Sequence, residues 1–260
     1  MVDYVLARKS RNIASNMVHI FLNILLGVGA VLVTVLSASP VLGLILVLVA
    51  KWRVFAVRGR YIWVNVKSNL VDIIVGISVV LLTYFAGGSF MAVDAILAIF
   101  YCVWLIVIKP MSSERAALAQ SLIAVFLGMS ASAIMAANLD TIVIVLLAFM
   151  IGYAASRHVL VQSSDKNYTL TTLVCGLVFA EVAWLCQTWS IIYTFGVTGI
   201  RVPQVAIILT VFAFVYNYAR QAMVKYQDNF RFKSILGPVI FGVILVGIIV
   251  LWFSNPIFNI

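Results

Sequence analysis

The sequence predicts an all-α integral membrane protein: a bundle of about nine transmembrane helices forming one domain, with no soluble domain. Three observations lead there. The 260 residues are 65% hydrophobic and 10% charged, with a mean hydropathy of +1.17, whereas a soluble domain carries about 25% charged residues. The apolar residues come in runs of roughly 17 to 25, the length that crosses ~30 Å of hydrocarbon at 1.5 Å per residue. The basic residues between these runs are distributed very unevenly between the two sides.

The first run, residues 17–37, follows a basic start (Arg8, Lys9, Arg11). It is too long for the apolar region of a signal peptide, so it is expected to stay as an anchor. Ser39 and Pro40 read as a helix cap followed by a first-turn proline. They open a second span over 40–57, in which Lys51 and Arg53 must snorkel to the headgroups. The third span covers 70–86 and closes at Gly87-Gly88; the fourth covers 90–108. The fifth, 117–137, turns at 138–140 into the sixth, 141–155. The seventh is long, 169–195, and a turn containing Gly196 and Gly199 separates it from the eighth, 203–218. The ninth covers 235–253. Two-helix units near 17–57, 70–108, 117–155 and 169–218, followed by a final helix, recur about every 50 residues, as in transporters built from repeats. Residue identity between the units is poor, and short-looped bundles produce the same spacing without duplication.

With the N-terminus inside, Arg8, Lys9, Arg11, Lys51, Arg53, Arg58, Arg60, Lys67, Lys109, Arg115, Arg157, Lys166, Arg220, Lys225, Arg231 and Lys233 all fall in cytoplasmic segments, and Arg201 alone falls outside. That asymmetry predicts a cytoplasmic N-terminus and an external C-terminus. Short tails and loops suit a prokaryotic cytoplasmic membrane. The formal net charge of +9 sits in connectors between spans, so it points to anionic lipid headgroups rather than nucleic acid. Cys102, Cys175 and Cys186 all fall within spans. Cys175 and Cys186 lie ~16 Å apart on one helix, too far for a disulfide.

Three carboxylates interrupt the apolar runs, and ionisable groups there are functional candidates. Asp72 lies one turn inside the third span, within reach of Lys67 or the headgroups. Asp94 lies at the outer end of the fourth span, with Arg201 as its available cation. Glu181 lies ~18 Å along the seventh span, near the expected midplane. It is the candidate proton or cation site, with Trp184 and Thr188 as polar neighbours on its own helix. Otherwise it is a neutral acid bonded to a neighbouring helix. Gly128, Ser132 and Ala136 form a small-residue stripe for close helix packing. Lys51, Trp52, Arg53, Arg58, Arg60, Trp63 and Lys67 read as interfacial anchors. Tyr218, Ala222, Tyr226 and Phe230 recur every four residues, as in a helix lying on the inner leaflet.

No enzyme signature is present. HExxH is absent, the histidines His19 and His158 lie near the inner surface, and Ser130 is expected ~20 Å from His158, where a Ser–His pair needs ~3 Å. No spacing suggests a metal or cofactor. Two expectations follow. One is a small transporter or permease-like protein for a small solute or ion, using Glu181. The other is a non-catalytic scaffold or subunit that holds other membrane proteins or a second copy of itself.

Overall fold

The computed structural model describes residues 2–87, 91–163, 167–189, 191–195, 200–226 and 233–251, with no side-chain description for 2–15, 91, 195 and 234. Gly88, Phe90, Lys166, Gly196, Gly199, Phe230 and Arg231 therefore lie outside the described residues. Ten helices and one hairpin follow in order: α1 (Val2–Ser37), α2 (Pro40–Ala50), α3 (Trp52–Phe55), α4 (Gly59–Ala86), α5 (Met91–Val103), α6 (Glu114–Met135), α7 (Thr141–Gln162), α8 (Tyr168–Cys186), β1 (Ile192–Phe195), β2 (Ile200–Pro203), α9 (Gln204–Tyr226) and α10 (Lys233–Leu251). Helix α5 continues as a π-helical turn, Trp104–Ile108.

The fold is a helical membrane bundle. Six helices are long and apolar enough to cross a bilayer: Asn16–Ser37, Gly59–Ala86, Glu114–Asn138, Thr141–Gln162, Tyr168–Cys186 and Gln204–Tyr226. The other three expected spans are shorter apolar helices, Pro40–Ala50, Ala92–Ile108 and Ile235–Leu251. The shortest, α2, has 11 residues and rises only ~16 Å, so it stops well short of a full crossing. The expected capping is present. Ser39 accepts a hydrogen bond from the Val41 amide, with Pro40 in the first turn. Gly87 closes α4 in the left-handed conformation at φ 76°, which favours glycine.

Two expected spans change shape. The seventh ends at Cys186, and the following residues pair as a hairpin, Ile192 opposite Pro203 through Phe195 opposite Ile200. The eighth continues as one helix to Tyr226, so Tyr218 to Tyr226 extends a long helix rather than forming a separate surface helix.

Two buried clusters make the core. One joins Ala30, Val47, Val75, Val79, Tyr101 and Trp104 from α1, α2, α4 and α5. The other joins Met129, Ala148, Phe179, Ala206 and Leu209 from α6 to α9. Ile74 and Phe126 pack against both, so α4 and α6 form the wall between them. Gly128 lies in that wall, where an added Cβ would come within 3.0 Å of Ile74 and Ile151. Ser132 is buried there and donates to the Gly128 carbonyl at 2.8 Å. Ala136 begins a short 3-10 segment.

Candidate functional site: a buried ion-pair cluster at the basic end

Helix α2 runs against α4 in one-turn steps. Gly43 faces Val80, Val47 faces Gly76, and Lys51 meets Asp72. The close approach depends on Gly76, where a Cβ would lie 2.7 Å from Val47 Cγ1 and 2.8 Å from the Tyr101 hydroxyl. The last step of this ladder places the Lys51 ammonium on Asp72 Oδ2. Lys51 is 6% exposed and Asp72 7%, so both groups are buried within the bundle. The snorkelling expected of Lys51 does not occur, because α2 ends against α4 and aims the side chain inward.

Two further groups converge on the same carboxylate. Lys109 Nζ lies 2.8 Å from Asp72 Oδ2, and the Trp104 indole N–H donates to Oδ1 at 3.0 Å. Residues five apart on an α-helix point roughly 140° away from each other. Here the Lys109 amide bonds to the Trp104 carbonyl at 2.8 Å, closing an i to i+5 turn. Such π-turns recur at functional sites, and this one lets Trp104 and Lys109 approach one acid. Among the described residues, both ion pairs end on Asp72.

Of the expected partners of Asp72, Lys67 or the headgroups, Lys67 does not pair with it. Instead, the Lys67 ammonium lies 5.1 Å from the Trp63 ring centroid, and its carbonyl accepts from Arg157 at 3.0 Å. Nearby, Gln120 donates to the Ile108 carbonyl at 2.6 Å and the Met111 carbonyl at 3.0 Å. The Gln120 carbonyl oxygen lies 2.6 Å from His158 Nε2. These bonds fasten the end of α5 to α6 and α7, so the segment carrying Lys109 is held in place from below.

The cluster opens onto a cleft of about 1060 Å³. Its polar end holds Lys51, Arg53, Asn69, Asp72 and Lys109, with His19 and Asn23 of α1 also lining it. Lys51 is sealed in, but the Lys109 side chain is 43% exposed. Beyond the cluster the space between helices is filled by Ala30, Val31, Val75, Val79 and Tyr101, each at most 3% exposed. The cleft is open at the basic end and along the side lined by Leu22, Leu25 and Val49, and closed toward the other end of the bundle.

The remaining candidates lie elsewhere. Glu181 is exposed on α8, five residues before the helix ends, about 8 Å from that end. Its expected depth was counted from the start of the helix, which begins at Tyr168; what the count leaves out is the face on which Glu181 lies. Val174, Leu177, Trp184 and Leu185, its neighbours along the stripe, are 46%, 55%, 59% and 55% exposed, while Phe179 and Ala183 on the opposite face are buried. Thr188 donates to the Leu185 carbonyl. Asp94 is 8% exposed, and its Oδ1 has no hydrogen-bond partner. Among the described residues no ion pair joins it to Arg201, which lines a small cavity with Ser130 at the opposite end of α4. Trp52, Trp63 and Tyr61 are exposed, with the Arg60 guanidinium 4.6 Å from the Tyr61 ring centroid. Arg53 and Arg58 are exposed beside them.

The fold defines the class: a multi-pass helical membrane protein with a buried ion-pair cluster at one end. The chain matches no known family model, no curated protein and no solved structure.

Proposed function

We propose that this protein is a small transporter or permease-like protein of a prokaryotic cytoplasmic membrane. Its solute site is the cleft at the Lys51–Asp72–Lys109 cluster rather than Glu181. The observation that carries the reading is a cleft of about 1060 Å³, apolar along most of its wall, whose charged end reaches a buried ion-pair cluster. An open space that reaches buried charge is what a solute pathway needs, whereas a scaffold can be close-packed throughout. The charge sets the solute class. Lys51 and Lys109 together exceed Asp72 by one positive charge, and Arg53 adds another, so the solute is an anion. Asp72 acts as the holder of the two lysines.

The test is access and protection. With Cys102, Cys175 and Cys186 replaced by alanine, Asn69→Cys should react with a membrane-impermeant maleimide. At least one anion, water-soluble or lipid-borne, should slow that reaction and should cross proteoliposomes containing the protein faster than empty ones. The Lys109→Gln variant should lose both effects. An unreactive Asn69→Cys, or anions that neither protect nor cross, would remove this reading.

One observation favours a second reading, a non-catalytic subunit that holds other membrane proteins. Glu181 lies on an outward apolar stripe of α8, where a donor from another membrane protein would satisfy it. Purification in a gentle detergent that yields a lone, monodisperse chain counts against it.

A further inference from the structure

The cleft is charged at one end and apolar along its length. From the cluster, the α1 wall runs through Leu22 and Leu25 to Gly29, opposed by Leu46 and Val49 of α2. Leu22 to Gly29 is about 10 Å of helix. Leu22, Leu25 and Val49 are 55%, 58% and 61% exposed, so this wall is an open side rather than a sealed pocket. In a bilayer an open apolar side faces acyl chains. A compact water-soluble anion would satisfy the cations and leave the wall unfilled.

We infer that the occupant is a lipid phosphate entering sideways from the bilayer. This rests on the cleft being the anion site described above. The phosphate sits on Lys109 and Arg53, and the first part of the acyl chain lies between α1 and α2. Charge complementarity supports the headgroup. The three cations Lys51, Arg53 and Lys109 lining the cleft exceed its one carboxylate by two, and a phosphate monoester carries about −1.5 to −2 at pH 7. The buried Lys51 contributes field rather than contact, since its ammonium is already held by Asp72. Lys109 is the group with exposure to spare. The apolar wall supports the tail, and a second copy of the chain or a partner helix offers no comparable match to an excess of positive charge.

The experiment uses Asn69→Cys protein in nanodiscs of phosphatidylcholine, with and without a minor fraction of phosphatidic acid, and in parallel with inorganic phosphate. Phosphatidic acid should slow maleimide labelling about tenfold, as expected for a site that is mostly occupied, while inorganic phosphate at equal total concentration should not. Native mass spectrometry should retain one phosphatidic acid per chain. Filling the wall with Gly29→Trp, or with Leu22→Trp at an exposed position that tolerates bulk, should abolish protection while Lys109 and Arg53 stay intact. The Arg58→Gln/Arg60→Gln double variant should leave it unchanged, because those residues lie outside the cleft lining.

Protection by inorganic phosphate that survives both tryptophans overturns the lipid assignment and leaves the anion reading standing. Protection by neither compound removes both. Equal loss in the Arg58→Gln/Arg60→Gln variant assigns the effect to general surface charge and also overturns the lipid assignment.

Discussion

Removing one member of the cluster should cost far more than removing another, and the asymmetry follows from which charge is left behind. In Asp72→Asn the Lys51 ammonium, with a side chain 5% exposed, loses its counter-charge and faces Lys109 across a neutral amide. Stripping the partner from a buried ion costs about 3–5 kcal/mol, because the desolvation of the remaining charge is no longer offset. In Lys51→Met the buried cation itself disappears. Asp72 keeps Lys109 at 2.8 Å and the Trp104 indole at 3.0 Å, and an apolar chain of similar length fills the space, so the loss should be about 1 kcal/mol. The double variant Lys51→Met/Asp72→Asn leaves no buried charge unpaired. It should recover much of the Asp72→Asn loss, a coupling of about 2 kcal/mol. Thermal unfolding in one lipid nanodisc composition reads all three. By the scaling for domains of comparable size, Asp72→Asn should lower Tm by roughly 6–20 °C. If Asp72→Asn is no less stable than Lys51→Met, or if the double variant is as unstable as Asp72→Asn, Asp72 is not the hub that holds the lysines.

Two further outcomes follow. Gly76→Ala should destabilise by about 1–3 kcal/mol, measured in the same nanodiscs, since the new methyl would press on Val47 and the Tyr101 hydroxyl and push α2 away from α4. Glu181→Gln should change stability by no more than about 0.5 kcal/mol and leave maleimide protection at Asn69→Cys intact, since Glu181 is exposed and, among the described residues, no hydrogen bond or ion pair reaches it.

The helical membrane class was legible because it depends on composition and run length alone, and each of the nine apolar runs holds a helix among the described residues, six of them long enough to cross a bilayer. Run length was less informative about how far each helix extends. Helix α2 stops at Ala50 because Lys51 turns into the bundle, and a reading that allows lysines to snorkel continues the span past that point. The hairpin after α8 was visible in principle, since Ile191 to Phe195 and Ile200 to Val202 are rich in β-branched and aromatic residues around a glycine-bearing turn. Their hydrophobicity absorbed them into the seventh span instead. The π-turn that brings Lys109 to Asp72 left no mark that spacing can detect, because helical periodicity separates Trp104 from Lys109.

The contrast between Asp72 and Glu181 identifies what depth arguments omit. Both are acids in apolar helices, and distance along the chain ranked Glu181 as the deeper and more consequential. Burial depends on azimuth as well. On α8 the small residues Cys175, Gly176, Ala180 and Ala183 mark the face that packs, and Glu181 lies two residues from Ala183, roughly 200° around the helix. On α4 Asp72 shares its stripe with Gly76, Val79 and Thr83, all buried. Small residues admit a neighbouring helix, so an acid on the same stripe meets that neighbour's side chains, while an acid opposite them meets lipid. Position relative to the small residues, rather than position along the span, separates the paired acid from the outward one.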